Sequence, residues 1–134
     1  VLVASLGGAA AHGLARPLRA RGLVGYLRGR LRSGTGVEVC FLGCPATLPT
    51  GPATLALRTG ATLLPCAVYF VDDGLHRGVV RPPIEVARVA GLREDVQRIT
   101  QALAHEFEQL ISLAPEQWHV LQANWPDLVE ESAP

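Results

Sequence analysis

The chain has 134 residues, 49% of them hydrophobic and 18% charged, which is enough apolar material for one buried core and excludes an intrinsically disordered protein. Twelve arginines balance twelve acids and there is no lysine, so the formal net charge is zero, which argues against a general nucleic-acid binder. One α/β domain over residues 1–129 is expected, followed by a frayed tail at 130–134.

Val1–Leu6 is short and rich in β-branched residues, a buried-strand pattern ending at Gly7-Gly8. Leu14 and Leu18 mark the apolar side of an amphipathic helix that runs to Arg21 and is stopped by Gly22, with Pro17 in its first turn. Leu23–Leu27 reads as a second strand, Arg28–Gly36 as a loop, and Val37–Leu42 as a third strand with Glu38 on its solvent side. Thr50 is expected to cap a helix that has Pro52 in its first turn, packs through Ala53, Leu55, Ala56 and Leu57, and stops at Thr59-Gly60. Leu63–Val71 is nearly all apolar, as a strand covered on both faces must be. Asp72-Asp73-Gly74 then predicts a hairpin into His76–Val80, which Arg81-Pro82-Pro83 ends, and Ile84-Glu85-Val86 forms a short edge piece. Leu92, Val96, Ile99, Leu103, Phe107, Leu110 and Ile111 lie on one face of a long helix, with Glu94 and Asp95 complementing its N-terminal dipole. Strand and helix alternate through the first seventy residues, so the predicted fold is α/β: a mainly parallel sheet flanked by helices, with a C-terminal hairpin and long helix.

Charge is unevenly placed. Seven arginines and one acid, Glu38, precede Ala61, whereas five arginines and eleven acids follow Gly60. The basic part suits phosphate groups or an anionic membrane surface, or is simply a solvated helix face. The apolar run Ala61–Val71 is too short to span a bilayer, which leaves surface attachment open. Cys40, Cys44 and Cys66 have no ligand partners at zinc-finger spacing, so no metal is expected, and they read as buried thiols in a reducing compartment. His105 is expected to be exposed or to pack between helices. Gly7-Gly8 and Gly34-Thr35-Gly36 form neither a dinucleotide-binding nor a P-loop pattern. The chain begins with Val1 and contains no methionine, which predicts that it is a piece of a longer protein.

The segment Gly36-Val37-Glu38-Val39-Cys40-Phe41-Leu42-Gly43, continuing through Pro49-Thr50-Gly51-Pro52 to Arg58-Thr59-Gly60-Ala61-Thr62-Leu63-Leu64-Pro65, resembles a phrase of the bacterial lipid A-type acyltransferases. A second phrase, Pro115-Glu116-Gln117-Trp118-His119-Val120-Leu121-Gln122-Ala123-Asn124-Trp125, is similar to the closing words of the same family, with Ala123 where proline is usual. Within that family the wording is nearest to the phosphatidylinositol mannoside acyltransferases of actinobacteria, and the arginine-only basic composition is typical of GC-rich genomes. The resemblance implies an α/β sheet flanked by helices. It also implies transfer of an acyl chain from acyl-CoA to a sugar hydroxyl of an anionic glycolipid, by a peripheral protein at the cytoplasmic face of the membrane, with no resident cofactor.

In the family the general base and its orienter are the His and Asp of His-x-x-x-x-Asp. Five positions after His12, His76, His105 and His119 stand Pro17, Arg81, Leu110 and Asn124, so none of them supplies the Asp. The chain therefore resembles the C-terminal half of such an enzyme, with no catalytic residue, and is expected to be inactive alone. Gly29-Arg30-Leu31-Arg32 keeps only the arginine of an acidic-Arg-acidic run, and Cys44 stands where the family places Glu. These departures leave a second reading open: a degenerate, non-catalytic member that binds lipid or a protein partner. The substrate-binding candidates are Arg30, for an anionic group, and Thr50 and Gly51, whose helix start presents free N–H groups. The bland alternatives are an exposed loop arginine and an ordinary helix cap. Trp118 and His119 are expected to dock the chain's closing segment against the sheet.

Overall fold

The computed structural model of the chain describes residues 36–118. The expected elements at Val1–Leu6, Leu14–Arg21 and Leu23–Leu27, the loop through Arg30, the phrase from His119 onward and the tail at 130–134 lie outside the described residues.

Two antiparallel hairpins and two helices make up the described part. Strands β1 (Val37–Phe41) and β2 (Cys44–Leu48) pair with Phe41 opposite Cys44 and Val37 opposite Leu48. The reversal uses only Leu42 (φ 52°) and Gly43 (φ 79°), both left-handed, as a two-residue hairpin turn requires to match the strand twist. Side chains alternate strictly: Val39, Phe41, Ala46 and Leu48 are buried, while Glu38, Cys40, Pro45 and Thr47 are exposed. Gly36 precedes β1 because a Cβ there would lie 2.5 Å from the Leu48 carbonyl oxygen.

Helix α1 (Gly51–Thr59) has Pro52 in its first turn and ends at left-handed Gly60, whose N–H donates to the Ala56 carbonyl at 2.8 Å. Strands β3 (Cys66–Phe70) and β4 (His76–Val80) form the second hairpin around the 3₁₀ turn Asp72–Gly74. Leu63 and Ile84 extend this pairing by a single antiparallel bridge. Helix α2 (Leu92–Ser112) then organises the whole. Its Val96 and Ile99 close one core with Ala53, Leu55, Ala56, Leu57 and Leu63, and its Ala104 closes a second with Val39, Phe41, Ala46 and Leu48.

Three expectations are corrected. The sheet is not mainly parallel: among the described residues every strand pair is antiparallel, so the fold is mixed α/β built from two hairpins. The cause is β2, absent from the sequence reading because Pro45 marks loops. Pro45 is tolerated because the Cys40–Pro45 pair points its missing N–H away from β1. The apolar run 63–71 is also not covered on both faces. Only Cys66–Phe70 is strand, and Val68 and Phe70 are each 67% exposed. Finally, Leu92 belongs to the long helix but not to its buried face, being 49% exposed. The α1 boundaries, the 76–80 hairpin and the remaining apolar face of α2 follow the sequence pattern.

Candidate functional site

Of the sequence-derived site residues, Arg30 lies outside the described residues, whereas Thr50 and Gly51 stand half-buried at the start of α1. Thr50 does not cap with its side chain. Its backbone is already helical (φ −84°, ψ −7°), and the side-chain bond of an N-cap needs an extended residue there. Its carbonyl instead accepts the Thr54 N–H at 2.9 Å. The Gly51 and Ala53 N–H groups consequently have no acceptor within the helix, Pro52 has no N–H, and the first turn contains no acid.

The most elaborated surface is the outer edge of β1, which α2 covers with polar side chains. Gln101 brackets Cys40: the Cys40 N–H donates to Gln101 Oε1 and Gln101 Nε2 donates to the Cys40 carbonyl, both at 2.8 Å. Gln97 donates to the Glu38 carbonyl at 3.3 Å, and the Leu42 N–H donates to Glu108 Oε1 at 2.7 Å. Side chains of the helix thus occupy the positions a neighbouring strand would take. The other Glu108 oxygen lies 3.3 Å from His105 Nδ1. A carboxylate-oriented imidazole can exchange a proton with a bound group. Here it stands on an exposed helix face, as expected for His105, with no second His–carboxylate pair among the described residues. The sequence reading missed this seam. Its signal was the polar series Gln97, Gln101, Glu108 beside the apolar face of α2.

Asp95 also does more than complement a dipole. It is 1% exposed and accepts from the Val89 and Ala90 N–H groups, at 3.3 and 3.4 Å, and from Arg98 at 3.4 Å. Burial pushes its carboxyl up, but the two N–H groups and Arg98 outweigh that and hold it below the usual carboxylate range. Arg81 pairs with Glu106 at 2.6 Å, tying the end of β4 to α2. The buried Tyr69 hydroxyl donates to the Leu110 carbonyl at 2.6 Å. The cysteines are free thiols. Cys40 is exposed rather than buried because strand alternation sets it beside Glu38, and burial pushes the half-buried Cys66 thiol up, away from the nucleophilic thiolate. Trp118 meets Phe41 edge-on at 6.0 Å, the docking role expected of it, whereas His119 lies outside the described residues. Among the described residues no group of three His, Cys, Asp or Glu could hold a metal ion, and no helix is long and apolar enough to cross a membrane.

Known proteins supply the context that this geometry alone does not. The chain is 40% identical over 119 residues to phosphatidylinositol mannoside acyltransferases from two strains of Mycobacterium tuberculosis, covering 89% of this chain and 36% of theirs. It is 41% identical over 98 residues to the phosphatidylinositol mannoside acyltransferase of Mycolicibacterium smegmatis, covering 72% of this chain and 30% of that protein. The chain thus spans about a third of the length of the curated relatives it matches. Residues 6–126 match the family described as bacterial lipid A biosynthesis acyltransferase, a span that includes both phrases, both hairpins and both helices. By that match across nearly its whole length, the chain belongs to the bacterial lipid A biosynthesis acyltransferase family.

Proposed function

We propose that this chain supplies the C-terminal, scaffold-forming part of an acyl-CoA-dependent acyltransferase that acylates a sugar hydroxyl of a glycolipid of the phosphatidylinositol mannoside type. The observation that carries the reading is the 40% identity, over 119 residues, to curated proteins named for that activity. The transfer requires a base for the hydroxyl proton and stabilisation of a tetrahedral oxyanion. The sequence contains no His-x-x-x-x-Asp to act as base and orienter, so this polypeptide alone does not turn over. The free N–H groups at Gly51 and Ala53 and the Arg30 guanidinium are its contributions to holding an anionic group. Peripheral attachment at the cytoplasmic membrane face, through the arginine-rich early segment, completes the proposal.

The test is a chimera in which the matching segment of the Mycolicibacterium smegmatis relative is replaced by this chain's. Retained acyl transfer from palmitoyl-CoA to mannosylated phosphatidylinositol supports the reading. A folded chimera that binds both substrates but transfers nothing favours the degenerate, non-catalytic alternative motivated by Cys44 and by the acids missing around Arg30.

A further inference from the structure

We propose that the exposed run Arg88-Val89-Ala90-Gly91-Leu92-Arg93, which leads from the Leu63–Ile84 bridge into the first turn of α2, is a lipid-contacting surface that inserts Val89 and Leu92 among anionic phospholipids. The inference deepens the membrane attachment proposed above, on which it rests for the presence of a bilayer, and is independent of acyl transfer.

Apolar side chains on either side of this run face the core: Ile84 and Val86 pack against the α1 core cluster, and Val96 is part of it. Between them Val89 is 70% exposed and Leu92 49%. Their exposure is not that of a loose loop, because the backbone is fixed from within. The Val89 and Ala90 N–H groups donate to the buried Asp95 carboxylate, and the Gly91 carbonyl accepts the Asp95 N–H at 2.9 Å. The Ala87 carbonyl accepts from Arg98 at 2.7 Å. Arg88 donates to the Leu57 carbonyl at 3.4 Å, which ties the run to the last turn of α1. Two apolar side chains are thus held in water on a bonded frame.

Arginines surround them. Arg88 and Arg93 flank Val89 and Leu92 in sequence, and exposed Arg58 follows Leu57, whose carbonyl Arg88 reaches. Arg98 pairs with Asp95, which leaves Glu85 and Glu94 as the exposed acids of this corner. Of the six arginines among the described residues, only Arg77 and Arg81 lie elsewhere.

This combination fits an anionic bilayer. Guanidinium groups can sit at the phosphates while the short apolar side chains between them reach below. Insertion also demands that backbone polar groups be satisfied from within the protein, which the Asp95 carboxylate does for the Val89 and Ala90 N–H groups. A fixed loop loses little freedom on contact. Docking of a protein or of a second copy calls for a wider apolar area than two side chains provide. Val68, Phe70 and Val80 expose more apolar surface, but their hairpin turns through Asp72 and Asp73, which anionic headgroups repel.

A polarity-sensitive dye, nitrobenzoxadiazole, attached to Val89→Cys tests this in the full chain carrying Cys40→Ser, Cys44→Ser and Cys66→Ala. The same dye on Thr47→Cys, exposed on β2, is the control. Vesicles are phosphatidylcholine with or without phosphatidylglycerol, so no glycolipid acceptor is involved. With anionic vesicles the dye at position 89 should shift to the blue and be quenched by nitroxides on the acyl chains, whereas the dye at position 47 should not. Without dye, Val89→Ser combined with Leu92→Ser should weaken vesicle co-sedimentation at least about tenfold, and Arg93→Gln about fivefold, with unchanged thermal midpoints. Sedimentation with an unshifted dye at position 89 overturns the loop contact and leaves attachment through the early segment standing. Failure to sediment overturns both. An equal shift with phosphatidylcholine alone overturns the proposal, as does a shift that grows with protein concentration in the absence of vesicles, which identifies a second copy. None of these outcomes alters the result of the chimera assay.

Discussion

Gln101→Ala is the sharpest probe of how α2 holds the first hairpin. The substitution removes two hydrogen bonds of 2.8 Å, each worth about 0.5–1.5 kcal/mol net. It also frees the ordered glutamine side chain, which returns about 1 kcal/mol of rotamer entropy. Cys40 is exposed, so water satisfies its released N–H and C=O and no buried-group penalty is added. The net loss is about 1 kcal/mol, a fall in Tm of about 5 °C for a domain of this size. Gln101→Glu separates the two bonds. The carboxylate still accepts the Cys40 N–H, but it faces the Cys40 carbonyl with lone pairs only, so at pH 7 it should destabilise at least as much as alanine. Below about pH 4 the protonated acid regains a donor, and its midpoint should approach that of the parent chain. Thermal unfolding followed by circular dichroism, with exchange of the Cys40 amide as a local readout, measures both effects. Unchanged Tm in Gln101→Ala, or a Gln101→Glu variant that is most stable at neutral pH, would refute the reasoning.

Asp95→Asn should lower the thermal midpoint at pH 7 and leave the two proteins alike in strong acid. Its folded value is depressed, so its contribution is present above the ordinary carboxylate range and lost as pH falls through that depressed value; parallel acid-stability curves would count against this. Tyr69→Phe removes the hydroxyl's bond to the Leu110 carbonyl, which keeps the Leu113 N–H at 3.3 Å, and should cost about 0.5–1.5 kcal/mol in denaturant unfolding. In the parent chain, burial raises the Tyr69 phenol, with Arg77 opposing, so stability is full below about pH 10 and declines as pH rises toward the raised value. The phenylalanine variant should lack that alkaline decline. Ile99→Ala empties a site with 0% exposure between α1 and Leu63 and should cost about 2–5 kcal/mol, against about 0.5–1.5 for Ile99→Val; similar losses for the two would mean the core is loosely packed.

Helices were the legible part of this sequence, since their signals are local. Val96, Ile99, Leu103 and Leu110 repeat at helical spacing, and Pro52 and Gly60 bracket α1. Strand pairing was not local. Periodicity shows that Val39 and Phe41 share a face but not which edge they meet, and Pro45 hid the strand opposite. A long apolar run likewise reports hydrophobicity without reporting cover, which is why Val68 and Phe70 were expected inside. The site was legible only as wording. Thr50 and Gly51 were rightly placed at a helix start, but whether the Thr50 side chain caps depends on a backbone angle that composition does not encode.

The glutamine seam also bears on how this chain folds. Each hairpin closes over a few residues and can form within microseconds. Gln101, however, meets Cys40 across 61 residues of chain, and Glu108 meets Leu42 across 66. That closure cannot be completed until α1, the second hairpin and most of α2 exist. Docking of α2 on β1 should therefore be the late, slow event of folding. Until then β1 presents a bare, aggregation-prone edge, and a chain interrupted before residue 101 would keep that edge permanently exposed.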